Sequence, residues 1–371
     1  MISLSIYWVG AYAWASVWGY LKVGEMFGIS KEIRGKNISY RPELDGIRAL
    51  SIIVVLLHHL GYLHGRGFLG VDIFFTLSGY LITQVLLATV ARGGSLLGFY
   101  RRRVARLYPI MAISVLIATL VIGYDSTKDT KPILASLFYY KNFLHWGDLF
   151  GPFWSLSAEE QFYLVFPITL ILFFKFFNKK ILTVFLLLVI AGVWSYVLWL
   201  NYPDYSWNQD GVLNLTLFRP TMILVGCVVS LNYAWAREIA KRFRFVVLLA
   251  FIGLVTACIG YQFPGLAALS TVLLILLLDS EVASISTLSR TVRSFLSFKP
   301  VRTLGVLSYS IYIWHMPVIF LYYKKGVNPH DHVAEIFGIV LALALISFYL
   351  IEVPLQGFLS GSRKSASLRE V

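Results

Sequence analysis

The sequence predicts an all-α integral membrane protein: a bundle of about ten core transmembrane helices, with one more helix ahead of them. Three observations carry this prediction. Of 371 residues, 58% are hydrophobic and only 14% charged; the mean hydropathy is +0.73; and the basic residues fall in short clusters between long apolar runs. A surface of that composition must be solvated largely by lipid. The formal net charge of +13 raises nucleic acid as a partner, but clusters spaced between apolar runs, with no single basic stripe, argue against it and read as membrane topology.

Residues 2–27 are apolar, rich in Trp and Tyr, and have neither a basic leader nor a small-residue cleavage site, so they read as a retained helix. Ten core spans follow, at 46–63, 69–90, 104–123, 153–174, 181–200, 212–233, 245–260, 264–278, 301–321 and 333–351. Each approaches the roughly 20 apolar residues that a bilayer crossing needs, the shorter ones relying on neighbouring helices or local thinning. Cys227 and Cys258 sit inside apolar segments, far from metal-ligand spacing, and read as packing residues. No metal is expected.

The loops alternate in basic charge, as membrane topology requires. One side collects Lys31, Lys36 and Arg41, then Arg101 to Arg103 with Arg106, then Lys175, Lys179 and Lys180, the 237–244 and 290–299 clusters, and Arg363 with Lys364. The other side includes the loop of Asp204 and Asp210, which has no Lys or Arg; Lys128, Lys131, Lys141, Lys324 and Lys325 are its exceptions. The first side is therefore read as cytoplasmic, with the C-terminus on it and Met1 outside. The expected division is an N-terminal extension over 1–40, one membrane domain over 41–355 and a cytoplasmic tail over 356–371. Residues 137–146 either lie along the outer interface or dip back into the bundle.

Ionisable residues within spans are costly, so they mark where chemistry is to be sought. On the first core helix the eleven-residue step from Arg48 to His59 returns to nearly the same face, about 16 Å along the axis. Asp45 falls near that face, and His58 points about a quarter-turn away. A histidine bonded between helices for packing alone is the plainer alternative.

The third core helix opens with Arg101, Arg102, Arg103 and Arg106, of which Arg103 and Arg106 share a face. A guanidinium at that depth wants a bidentate anionic partner, and a phosphate-rich donor arriving from the cytoplasm supplies one. Lipid headgroups and topology account for Arg101 and Arg102. The fourth helix brings Glu159 and Glu160 into the membrane: Glu159 as a group to hold a histidine tautomer or an acceptor hydroxyl, Glu160 as its more solvated neighbour.

Arg219 needs an anion, and a structural ion pair is its alternative reading. Tyr309, Tyr312 and His315 follow one side of the ninth helix; interfacial tyrosines and a histidine capping a kink at Pro317 are the alternatives there. Asp72 is read as facing the acceptor or pairing with Arg66. Ser78 and Gly79 read as close helix packing. His64, His145, His330 and His332 fall in outer loops or their margins and are given no chemistry.

The order of these motifs resembles the bacterial acyltransferase-3 family of membrane O-acyltransferases, which modify polysaccharides and lipopolysaccharides. It runs from Arg-Pro-Glu-Leu-Asp-Gly-Ile-Arg at 41–48, through His59, Phe-Phe-Thr-Leu-Ser-Gly-Tyr-Leu-Ile at 74–82, Arg103 with Arg106, and Trp-Ser-Leu-Ser-Ala-Glu-Glu-Gln-Phe-Tyr at 154–163. Arg219 ahead of Gly226, Ser-Tyr-Ser-Ile-Tyr-Ile-Trp-His at 308–315 and Glu352-Val353-Pro354 complete it.

The resemblance implies that His59 and Arg48 are essential, that Arg103 and Arg106 help hold the acyl donor, and that Glu159 belongs to the active region. It adds weight to Arg219, Tyr309 and His315 as substrate-side residues, beside Asp72, whose place near the outer end of its helix already puts it there. The chain departs from the family in its long segment before Arg41, and the secreted hydrolase-like domain of some members is not found in it, so acceptor choice is expected to rest on the membrane domain.

The expected reaction moves an acyl group, acetyl above all, from acyl-CoA to a hydroxyl of a cell-surface or exported glycan or lipid-linked sugar at the bacterial inner membrane. His59 serves as general base or as transient acyl carrier. A proton-coupled transporter or flippase is the competing class, since buried His, Arg and Glu suit it too, although the internal repeats common in transporters are not seen.

Overall fold

A computed structural model of the chain describes residues 40–63, 67–122, 130–144, 149–200, 214–261 and 264–360. The helix expected over 2–27, the loop of Asp204 and Asp210, Arg66, and the tail carrying Arg363 and Lys364 lie outside them. Among the described residues there is no strand. The helices are α1 Pro42–His59, α2 Phe68–Ala91, α3 Leu96–Ile122, α4 Lys131–Leu137, α5 Phe153–Phe176, α6 Lys179–Leu200, α7 Thr221–Leu231 and α8 Tyr233–Arg242, followed by α9 Arg244–Tyr261, α10 Pro264–Leu277, α11 Ser280–Ser284, α12 Thr287–Leu296, α13 Lys299–Val306, α14 Ser308–Lys324, α15 Val333–Ser347 and α16 Val353–Ser360.

Among the described residues, five helices are long and apolar enough to cross a membrane, or seven if each sharply bent pair is one span. That is fewer than the ten expected, for physical reasons. Charged side chains in the first turns of α1, Glu43, Asp45 and Arg48, dilute its hydropathy, while the α9 and α10 regions are short apolar helices. The chain also bends by 79° between α7 and α8 and by 66° between α13 and α14. At the first bend the Asn232 amide donates to the Val228 carbonyl at 2.9 Å and to Thr183 Oγ1 at 3.0 Å, occupying a backbone acceptor where the helix breaks.

Helix α2 is central, packing on α1, α7 and α10. Its backbone meets that of α7 directly: a Cβ at Gly79 would overlap the Ile223 carbonyl, and one at Gly226 would overlap Thr76 and Tyr80 backbone atoms. Small residues let two helices approach to backbone contact in a membrane, where dispersion and polar contacts hold helices together. Cys227, fully buried, packs in the same seam, with Sγ 3.5 Å from the Gly79 carbonyl oxygen.

One end of the bundle is tied by Arg41. Its guanidinium donates to Glu43 at 2.8 Å, to the Tyr80 and Tyr233 hydroxyls at 3.1 and 2.8 Å, and to the Ile275 carbonyl at 3.0 Å. Burial works against its charge, and Tyr233, Tyr80 and Glu43 more than offset it, so Arg41 is held above its ordinary value. The Arg-Pro-Glu-Leu-Asp segment thus joins α1 to α2, α8 and α10. Within residues 137–144, Phe138 and Phe143 are exposed while Lys141 and Asn142 are fully buried, and Gln161 on α5 donates to the Tyr139 carbonyl at 2.7 Å and to Asn142 Oδ1 at 2.9 Å. Lys141, an exception to the loop charge pattern, is therefore an interior residue.

Candidate active site

Two adjoining cavities open among α1, α2, α3, α5 and α14. The larger, about 410 Å³, is bordered by Arg48, Arg103, Arg106, Glu159 and Tyr309, five of the residues singled out from the sequence. Its wall on α2 runs from Val71 to Val85, about 21 Å at the rise of an α-helix. The smaller, about 20 Å³, is bordered by His58 and His59. Val71 and Tyr312 line both, so the His59 pocket lies against the larger space.

Helix α1 contributes to both cavities, as the eleven-residue spacing predicts. Arg48 borders the larger one, with Nη1 3.9 Å from Asp45 Oδ1, and His59 the smaller. His58 also borders the small pocket, its ring 4.9 Å from that of His59. Gly67 is what makes room for it, because a Cβ there would overlap the His58 ring.

Glu159 borders the larger cavity among hydroxyl groups. Its Oε1 accepts from the Ser78 hydroxyl and from the Tyr163 hydroxyl at 2.5 Å, with Arg103 Nη2 at 3.9 Å. Among the described residues no histidine bonds to it, and of its two expected roles the one at an acceptor hydroxyl is the one its place on the cavity wall suits. Glu160 is no more solvated than Glu159, at 21% against 20% side-chain exposure, because it is the ion-pair partner of Arg103. The Arg103 Nε and Nη2 approach Glu160 Oε1 at 3.1 and 2.8 Å, and the guanidinium carbon lies 3.2 Å from the Tyr163 ring centroid. The charge of Arg103 is thus met from within the protein. Arg106 differs: its Nε is buried without a hydrogen-bond partner at the cavity wall.

The group that sets a histidine tautomer is a backbone carbonyl. His315, fully buried, has Nδ1 2.5 Å from the Tyr312 oxygen. A carbonyl only accepts, so Nδ1 carries the proton and Nε2 keeps its lone pair. Nε2 is buried and without a partner. The His59 and His315 rings are 5.1 Å apart. Tyr309 donates to the Leu107 carbonyl at 2.7 Å, tying α14 to α3. Tyr312 donates to the Pro152 carbonyl at 2.8 Å and lies 2.8 Å from Ser155 Oγ.

Asp72 and Arg219 face each other. Arg219 Nη1 lies 2.9 Å from both Asp72 carboxylate oxygens, and the two side chains are 0 and 2% exposed. Asp72 is accordingly taken up by Arg219. The pair stands behind the small pocket, because the Arg219 guanidinium packs 4.4 Å from the ring centroid of Phe68, which lines it.

Sequence reasoning gave Ser78 to packing alone, placed Tyr312 only in the row of Tyr309 and His315, and assigned Tyr163 and Trp154 no role. The signal that was available is their polar or amphipathic character inside apolar runs next to Glu159 or His315. Among the described residues no group of three or more His, Cys, Asp or Glu side chains stands together as metal ligands do.

A family model described as an acyltransferase domain matches residues 41–352. The chain is 32% identical over 358 residues to the peptidoglycan O-acetyltransferase OatA of Listeria monocytogenes, covering 86% of this chain and 57% of that protein. It is 32% identical over 362 residues to the O-acetyltransferase OatA of Staphylococcus aureus, with 85% and 57% covered. A putative peptidoglycan O-acetyltransferase of Bacillus subtilis, YrhL, is 31% identical over 368 residues, with 88% and 56% covered. The chain thus spans a little over half the length of these relatives. No solved structure matches it.

Proposed function

The chain belongs to the acyltransferase family matched over residues 41–352, and from that premise we propose that it is a multi-pass membrane O-acetyltransferase acting on a hydroxyl of an exported cell-wall glycan. The relatives named for peptidoglycan O-acetylation favour a peptidoglycan-type acceptor over lipopolysaccharide. Acetyl-CoA is the donor in this reading, and the plasma membrane the location, with Arg101 to Arg106 and the C-terminus on the cytoplasmic face.

The observation that carries the proposal is the pair of adjoining cavities, one long and bordered by arginines, the other small and bordered by His59. A donor with a charged head and a thin arm fits such a shape. Its phosphates fall to Arg106, whose Nε is unpartnered, and to Arg48 and Arg102, while Arg103 and Glu160 keep the wall in place. The arm then runs along α2 and presents the thioester beside His59.

There the acceptor oxygen attacks the thioester carbonyl carbon as His59 takes the hydroxyl proton. The C–S bond breaks, the CoA sulfur leaves with the bonding pair, and His59 returns the proton to it. His315 lies against His59 with a free ring nitrogen, so it is the residue to share that proton. Glu159, Ser78 and Tyr163 order the middle of the channel. Asp72 and Arg219 act from behind Phe68.

The test is transfer of labelled acetyl from acetyl-CoA by membranes holding wild type or His59→Ala, with the label traced into lipid-linked and extracellular glycan. Label entering glycan only with the wild type supports the reading. Substrate accumulation without acylation, or no label from a panel of donors and acceptors despite intact insertion, overturns it in favour of transport.

A further inference from the structure

We infer that the small pocket beside His59 seats the transferred acyl group, and that Val55, Phe68 and Trp154 limit that group to two carbons. The inference rests on the role of His59 proposed above and adds the acyl subsite and the residues that measure it.

The pocket holds about 20 Å³, little more than the 10–15 Å³ or so that one water-sized sphere occupies. That is too small for a sugar ring. Apart from the histidines its side walls are largely apolar, formed by Val55, Phe68, Val71 and Trp154, which suits a methyl group. It adjoins the long cavity at Val71 and Tyr312, where a thioester carried by the arm would stop. A carbonyl there has its methyl group directed into the pocket.

The walls cannot recoil to admit a longer chain. Val55 and Trp154 are 1 and 2% exposed, and Trp154 is held edge-on by Phe75, with ring centroids 5.8 Å apart at 84°. Phe68 is caught between the His58 ring at 5.7 Å and the Arg219 guanidinium at 4.4 Å. Arg219 is itself fixed by Asp72. An added methylene therefore meets close-packed atoms on three sides, the condition in which overpacking is resisted. Discrimination of about 10- to 200-fold per methylene is the range such a pocket delivers.

The experiment compares acetyl-, propionyl- and butyryl-CoA as donors for the full-length protein in its own membranes, reading release of CoA thiol as kcat/KM. Wild type should fall at least about 10-fold from acetyl to propionyl and again to butyryl. Val55→Ala, which removes two wall carbons, should raise the propionyl-to-acetyl ratio by about 10-fold or more, and Val71→Ala is the second variant if that protein does not accumulate. Equal use of the three donors by wild type, or an unchanged ratio in a folded wall variant, overturns the acyl pocket and leaves the space to a water bonded to His58. Wild type that turns over none of the three donors overturns acyl-CoA as the donor, on which the role of His59 proposed above rests, so the two failures are distinct.

Discussion

His315 lies against His59 with ring centroids 5.1 Å apart, and its Nδ1 is pinned 2.5 Å from the Tyr312 carbonyl oxygen. The proton on Nδ1 is thereby fixed, and only Nε2 is open to exchange. Replacing His315 by Asn keeps a donor for that carbonyl and deletes Nε2. His315→Asn should lower kcat by about 10²-fold or more with little change in KM for acetyl-CoA, the scale of a lost acid–base group. Steady-state kinetics on purified protein decide this, and an unchanged kcat would remove His315 from proton transfer.

The arginines of α3 should separate in their effects. Arg106→Ala is expected to raise KM for acetyl-CoA about 10-fold or more, because a charge-assisted phosphate contact contributes about 1.5–3 kcal/mol. Arg103→Ala strands Glu160 in the bundle and should show first as a loss of folded protein, by about 3–5 kcal/mol. Thermal unfolding in detergent beside donor titration distinguishes the two, and identical behaviour of the variants contradicts the assignment.

Asp72 and Arg219 form the most deeply buried ion pair at this site. Either Asp72→Asn or Arg219→Met should destabilise the fold by about 3–5 kcal/mol, since each leaves an uncompensated charge or a half-filled network. The double variant Asp72→Leu with Arg219→Met should recover much of that stability, because an apolar pair of similar volume replaces the ions. It should nonetheless remain impaired in transfer, as Phe68 loses the cation packed on its ring. Full activity in the double variant would show that the pair serves folding alone.

Gly226→Leu puts a side chain where α2 backbone atoms already lie. The variant should fail to accumulate in membranes, while Leu188→Ala on the exposed side of α6 should accumulate normally. Quantifying membrane-inserted protein checks both.

Much of this arrangement is legible in the sequence because charge inside an apolar run has few innocent explanations. Arg48, His59, Arg103, Arg106, Glu159, Asp72, Arg219 and His315 all declare themselves in that way. Helical phase also takes Arg48 and His59 to one side of α1, and the structure has them border adjoining cavities. What phase cannot supply is partnership between helices. Glu160 and Arg103, or Asp72 and Arg219, are 57 and 147 residues apart, and spacing along one helix says nothing of which distant ion will meet it. Ser78 escaped because a serine hydroxyl in a membrane helix bonds its own backbone as readily as a neighbour, and Tyr163 because a tyrosine in a spanning run reads as an interfacial residue. Among the described residues the span count is lower than expected because two of the apolar runs belong to bent pairs, α9 and α10 are short, and α1 carries charge in its first turns.

The contact of α2 with α7 also divides the molecule mechanically. Where Gly79 faces the Ile223 backbone and Gly226 faces Thr76, neither helix can slide or roll past the other without driving atoms together. These two helices, with α1 and α13 joined by the similar approach of Gly305 to the Asp45 backbone, form a stator. The rest of the larger cavity's wall is carried by α3, α5 and α14. Each of these has a proline within it, Pro109, Pro167 and Pro317, where a backbone hydrogen bond is missing and bending meets least resistance. Arg103 with Arg106, the glutamate pair and the tyrosine–histidine row therefore sit on the proline-bearing helices, while Arg48, Val71 and Ser78 stay with the stator.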